Sequence, residues 1–191
     1  MALPAKKDRY TFADVLGWDE SERAELIDGE VFLMAPAPSR EHQRISFEIC
    51  RQLGNYLEGK RCQAYSAPFD VRLFEKDGDI PEKIDTVVEP DIVVVCDASK
   101  LDDHGCKGAP DMVIEILSPS TQRHDRLVKL GLYQRAGVRE YWIADPDSRT
   151  VQVFTLSDGL LLPHEVYNRT GVAKVTVLDG CFIELSKIFT E

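Results

Sequence analysis

The chain has 191 residues, 43% of them hydrophobic, and a formal net charge of −10. That length favours one domain, residues 1–191, with a sizeable core, and the acidity argues against a nonspecific coat on nucleic acid, whose binding rests on phosphate attraction. No apolar run approaches the ~20 residues needed to cross a bilayer, and the opening "MALPAKKDRYTF" has no apolar signal-peptide core, so a cytoplasmic protein with no membrane partner is expected.

The five cysteines, Cys50, Cys62, Cys96, Cys106 and Cys181, are odd in number and scattered, which fits reduced thiols better than a disulfide framework. Charge is uneven along the chain. Thr11 to Glu30 holds seven acids and one base, Arg23, whereas Thr121 to Arg139 holds five bases, His124 and one acid, Asp125. The plain reading of both segments is a solvated face.

In chain order, "AELIDGEVFLMAP" reads as a hairpin: Ala24 to Ile27, an Asp28-Gly29 turn, then Glu30 to Met34, stopped by Pro36 and Pro38. A helix starts near Ser39, which can cap it, and Ile45, Ile49, Leu53 and Leu57 make an i, i+4 apolar stripe. "APFDVRLF" reads as a strand with Phe69, Val71 and Leu73 on one face, followed by a polar loop from Glu75 to Thr86. "PDIVVVCD" and "MVIEIL" are apolar on both faces, as in the middle of a covered sheet, apart from Glu115. Asp97 to Ala109 between them is a loop. Ser120 or Thr121 caps a second helix that runs to about Ala136 and ends at Gly137. "REYWIAD" is a further core strand, "TVQVFTL" alternates like a sheet-edge strand, and "AKVTVLDG" reads as another. The order predicts an α/β or α+β fold with helices on the faces of a mixed sheet, an N-terminal hairpin and extra C-terminal strands.

Two acids stand in or beside these apolar strands. Asp91 opens one, directly after Pro90, and Glu115 lies inside the next. If the strands are neighbours, the carboxylates converge. Isolated buried carboxylates are costly, so they become neutral, find partners or bind metal. Two hard oxygen ligands suit Mg2+ or Mn2+, which would serve phosphodiester hydrolysis. The plainer alternative has Asp91 capping a turn and Glu115 pairing with Arg or Lys. Val113, Glu115 and Leu117 alternate onto one side of the strand, so a cation two residues after Glu115 would share its face, but that place holds Leu117. On the following helix Asp125, Lys129 and Tyr133 are spaced i, i+4, i+8. Lys129 is the substitute cation, against a surface Asp125–Lys129 pair contributing only ~0.3–0.5 kcal/mol.

The segment "VEPDIVVV … GAPDMVIEILSPSTQRHDRLVKLGLYQRAGVREYWIADP", with "ELIDGEVFLMAPAPSREHQRIS", resembles the Uma-two family of bacterial restriction endonucleases, within the PD-(D/E)XK nuclease superfamily. The match runs from about Glu25 to Pro146. The resemblance implies a restriction-endonuclease-like αβββαβ core, with the helices at Ser39 and Thr121 as its two. It assigns the Pro-Asp motif to Pro90-Asp91 rather than Pro110-Asp111. It implies that Asp91, Glu115 and the backbone carbonyl of Ile116 bind the metal, and that Lys129 stands in for the lysine missing from Glu115-Ile116-Leu117. It also points to His42, in the "HQR" segment, as a site residue that bonds a phosphate, a metal-bound water or Glu115.

Weaker candidates are Glu25 and Asp28 approaching from the hairpin, a Tyr133 hydroxyl on a carboxylate, and Arg123 and Arg126 on phosphates. Cys96, His104 and Cys106 match no compact zinc spacing. The expectation is a Mg2+-dependent DNA endonuclease, with a nuclease-fold interaction module lacking catalysis as the alternative. A homodimer joined through an exposed edge of the C-terminal strands is also expected.

Overall fold

The computed structural model describes residues 7–18, 23–34, 37–119 and 122–190. After a short helix α1 (Phe12–Val15), the chain forms the hairpin β1 (Ala24–Ile27) and β2 (Glu30–Leu33). Asp28 and Gly29 both take left-handed backbone, φ 50° and 82°, the twist a two-residue hairpin turn demands. Backbone bonds between Leu26 and Val87 tie the hairpin to the rest of the chain. Pro36, and the acids Asp19, Glu20 and Glu22, lie outside the described residues.

Helix α2 (Arg40–Leu57) starts where expected, with the Ser39 hydroxyl accepting the His42 amide at 3.1 Å. The central sheet contains β3 (Gln63–Ser66), β5 (Ile92–Val95), β8 (Met112–Ile116), β9 (Glu140–Asp145), β10 (Thr150–Ser157) and β11 (Leu160–Asn168), in the spatial order β11-β10-β9-β8-β5-β3. The β8–β9 pairing is parallel and the others are antiparallel. The helical crossover between β8 and β9 permits that parallel pair. It consists of a wide π-type turn (His124–Lys129) running into α3 (Leu130–Ala136), which Gly137 ends at φ 84°. The caps proposed for this helix, Ser120 and Thr121, lie outside the described residues. The sequence α2-β3-β5-β8-α3-β9 is the αβββαβ core.

Both faces of the sheet are covered. Ile45, Ile49 and Leu53 of α2 pack on Ile92, Val94, Met112, Ile114 and Trp142. Each fully buried aliphatic there contributes about 1.5–3 kcal/mol. The other face carries Val93, Val113 and Leu117 under Leu132 and Tyr133 of α3. Glu115 alternates with Val113 and Leu117, so it points toward the α3 side.

Four expectations are corrected. Gln63–Ser66, rather than "APFDVRLF", supplies the strand after α2. Of that stretch only β4 (Val71–Arg72) is strand, in a small sheet with β6 (Leu101–Asp102) and β7 (Gly105–Lys107), both formed within the expected loop. Second, "TVQVFTL" is not at the edge: β11 covers it, and β11 has the free edge. Third, "AKVTVLDG" contributes only Ala173 and Lys174, to β12 (Val172–Lys174), which pairs with β13 (Phe182–Glu184) ahead of α4 (Leu185–Ile188) in a separate two-stranded sheet. Fourth, Cys62 and Cys96 form a disulfide, because they face each other just beyond the antiparallel β3–β5 pairing, while Cys50, Cys106 and Cys181 are free.

Candidate active site

Antiparallel register puts Ile92 opposite Ile114, so the next pair along is Asp91 and Glu115. The Asp91 amide lies 3.4 Å from Glu115 Oε2. Asp91 Oδ2 accepts the Ile116 amide at 2.7 Å and lies 3.2 Å from His42 Nε2, one turn into α2. His42 therefore meets Asp91 rather than Glu115. Pro110-Asp111 sits at the other end of β8, where Asp111 accepts the Cys96 amide at 2.8 Å and Arg139 at 3.0 Å. Both of its carboxylate oxygens are taken up by these bonds.

Lys129 reaches the same spot from the crossover. Its Nζ is 2.9 Å from both Glu115 Oε1 and Glu25 Oε1, and 3.8 Å from Asp125 Oδ1. The Tyr133 hydroxyl donates to Glu115 Oε1 at 2.6 Å. The Asp125, Lys129, Tyr133 stripe is thus real, but it is buried: Lys129 is 5% exposed and Asp125 3%. A surface pair is excluded. π-type turns of this sort frequently mark functional sites.

Glu25, a weaker candidate in the sequence, belongs to the cluster. Besides Lys129 it accepts the Glu89 amide at 3.0 Å, and its Oε2 lies 3.7 Å from His124 Nε2. The acidic and basic segments therefore face one another rather than solvent alone; Arg135 likewise meets Asp28 at 2.8 Å. Arg126 turns away to Asp145 and Gln152, and Arg123 is exposed.

Electrostatics set this cluster apart from an ordinary buried acid. Glu140, also inside a strand, is satisfied by Trp142 Nε1, the Thr176 hydroxyl and the Val177 amide. Glu115 instead shares one lysine with other acids. Burial pushes its carboxyl up to about 8; Lys129 opposes this, and Asp125, Asp91 and Glu25 add to it. Burial alone would lower the Lys129 amine, but Glu115, Glu25 and Asp125 hold it well above the ordinary lysine value. Glu25 is lowered, since Lys129 and its hydrogen bonds outweigh its burial. His42 is raised, because Asp91 outweighs desolvation.

Three carboxylates thus crowd one lysine, and Asp91 adjoins one of them, Glu115; this excess of negative charge suits a divalent cation. Among the described residues no three His, Cys, Asp or Glu side chains converge as a ready metal cage. A cation held by Asp91 and Glu115 would keep several positions for water or substrate, the habit of Mg2+. Zinc at Cys96, His104 and Cys106 is ruled out by the Cys62–Cys96 bond. The carboxylates lie in a cleft of about 810 Å3, walled by α2 on one side and the hairpin on the other.

Residues 12–186 match the family model Uma2, described as "Putative restriction endonuclease". The chain belongs to the Uma2 family. Two uncharacterized proteins of Synechocystis sp. (strain ATCC 27184 / PCC 6803 / Kazusa) are similar: slr1290, 25% identical over 82% of this chain and 80% of its own, and sll1609, 26% identical over 76% and 80%. A crystal structure from Anabaena variabilis ATCC 29413, described as "a putative nuclease belonging to DUF820", superposes with a TM-score of 0.72 at 21% identity, over 94% of this chain and 97% of that one. That likeness shows the Uma2 chain's mixed α+β fold.

Proposed function

We propose that the protein is a metal-dependent phosphodiesterase acting on DNA, an endonuclease in which Asp91, Glu115 and the Ile116 carbonyl hold Mg2+ or Mn2+ and Lys129 is the catalytic cation. One observation carries the reading: Asp91 and Glu115 are cross-strand neighbours on the floor of a cleft, with the Lys129 ammonium 2.9 Å from Glu115. Membership of a nuclease family supports it. The divalent ion, when bound, neutralises phosphate charge and lowers the pKa of water.

The chain's own groups do the rest. Lys129 stays protonated in this acidic setting, so it acts as a fixed positive charge beside the pentacovalent phosphorus and not as a base. It occupies by way of the helix the place that Leu117 leaves uncharged on the strand. The Tyr133 hydroxyl and Lys129 both hold Glu115 Oε1, which turns Oε2 toward Asp91. His42 and the Ile116 amide hold Asp91 Oδ2 in the same way.

The test is cleavage of single-stranded and duplex DNA with Mg2+ and with chelator, comparing the wild type with Asp91→Asn and Glu115→Gln. Cleavage that needs metal and is lost in both variants supports the reading. Cleavage that survives both substitutions overturns it, and metal binding without cleavage of any nucleic acid leaves the interaction module.

A further inference from the structure

The cleft has two unlike parts. Its depth is charged, and each basic side chain lining it already faces an acid. Arg23 lies 2.6 Å from Glu89, His42 3.2 Å from Asp91, His124 3.7 Å from Glu25 and Lys129 2.9 Å from Glu115. Its rim is apolar. Phe47, two turns into α2, is 72% exposed, and Leu33, at the end of β2, is 62% exposed. Behind Leu33 the Phe32 ring stands 5.1 Å from that of His124. Single exposed hydrophobics need no explanation. Here two, from separate elements, border the same cleft as the carboxylate pair.

Duplex DNA is gripped chiefly by free Lys and Arg along a run of phosphates. This cleft has no cation to spare among its described lining, and the chain carries −10 overall. Single strands are held differently, by stacking of unpaired bases on aromatic rings, a contact open to any base. The volume, about 810 Å3, falls in the roughly 300–1,000 Å3 range of pockets that enclose small ligands. A nucleotide enters such a space; an intact double helix does not.

We propose that the cleft takes an unpaired nucleotide of single-stranded or locally melted DNA, its base stacked on Phe47 and packed against Leu33, with the adjoining phosphodiester reaching Asp91 and Glu115. The chemistry rests on the phosphodiesterase reading above, but the binding mode is tested without it. Phe47 projects into solvent, so replacing it leaves the core intact.

The experiment is fluorescence anisotropy with labelled oligodeoxythymidylate and with a blunt duplex of equal length, in Ca2+ across a salt series. The single strand binds at least 10-fold tighter than the duplex. Its affinity falls with log salt at a slope shallower than about −2, against roughly −5 to −9 for a protein making 6–10 duplex phosphate contacts. Phe47→Ala weakens it about 5- to 150-fold, the range for one stacked base, and Phe47→Trp restores it. Equal or tighter duplex binding, a steep slope, an unchanged Phe47→Ala, or no binding to either strand form overturns the proposal. Cleavage is scored separately: a protein that binds through Phe47 yet cuts nothing defeats the phosphodiesterase reading and leaves this one standing.

Discussion

Replacing Lys129 with methionine keeps most of the unbranched side chain and removes its charge. In the native cluster Nζ lies 2.9 Å from Glu25 and Glu115 and 3.8 Å from Asp125, all buried. Breaking a buried pair from one side costs about 3–5 kcal/mol, because the partner charge is left uncompensated. For a chain of this size that lowers the melting temperature by roughly 6–20 °C. The penalty depends on pH with a definite sign. Glu25 is lowered at present because Lys129 and its hydrogen bonds outweigh burial; without Lys129, burial raises it above its unfolded value of about 4.3. A carboxyl so raised keeps its stability below the unfolded pKa and loses it as pH climbs through the folded one. Lys129→Met is therefore closest to the wild type near pH 4–5 and furthest from it at pH 8 and above. Adding Glu25→Gln recovers part of the loss at pH 8. Urea denaturation at both pH values measures this. A loss below about 1 kcal/mol at pH 8, the size of a solvated ion pair, refutes the buried cluster.

Two further outcomes follow from buried charges, one in this cluster and one outside it. Glu25→Gln keeps the shape of the site but loosens Lys129, so turnover falls about 10- to 100-fold with little change in KM; a fall in Mn2+ affinity instead makes Glu25 a ligand. Asp70 is pushed up to about 6, first by burial and then by Glu89. Its stabilisation is complete below its unfolded pKa near 3.9 and is lost as pH rises through about 6. Asp70→Asn should then raise stability at pH 7–8 by about 1 kcal/mol after allowance for solvent screening, and calorimetry showing no gain there contradicts that.

Much of the core was legible because its signals are local. Asp28-Gly29 fixed the hairpin, Ser39 with the Ile45 stripe fixed α2, and the doubly apolar runs fixed β5, β8 and β9. The pairing of Asp91 with Glu115 depended on β5 and β8 being neighbours, which periodicity cannot tell but the register of the sheet confirms. What escaped was non-local or irregular. Strand β3, "QAYS", is too short and polar to stand out, and only its pairing with β5 makes it a strand. Strand β11 contains Pro163, which argues against a central strand; it lies at the sheet's edge, where the pairing with β10 shifts register by a residue. Glu25 looked like one acid among seven in a solvated segment. The one available signal was alternation, since Glu25 and Ile27 share a face of β1 and Ile27 joins the core beneath α3. The Cys62–Cys96 bond was invisible because their separation of 34 residues says nothing about which strands lie side by side. For Lys129 the helical stripe shows the direction toward Glu115, and its burial emerges only when the hairpin closes over it.

The proposed chemistry stands on a divalent cation held jointly by Asp91 and Glu115. Mn2+ is titrated into the wild type, Asp91→Asn and Glu115→Gln at pH 8.5, above the Glu115 carboxyl, which is pushed up to about 8. One site per chain is expected in the wild type, lost in both variants. Binding that is absent from the wild type, or unchanged by either substitution, contradicts it.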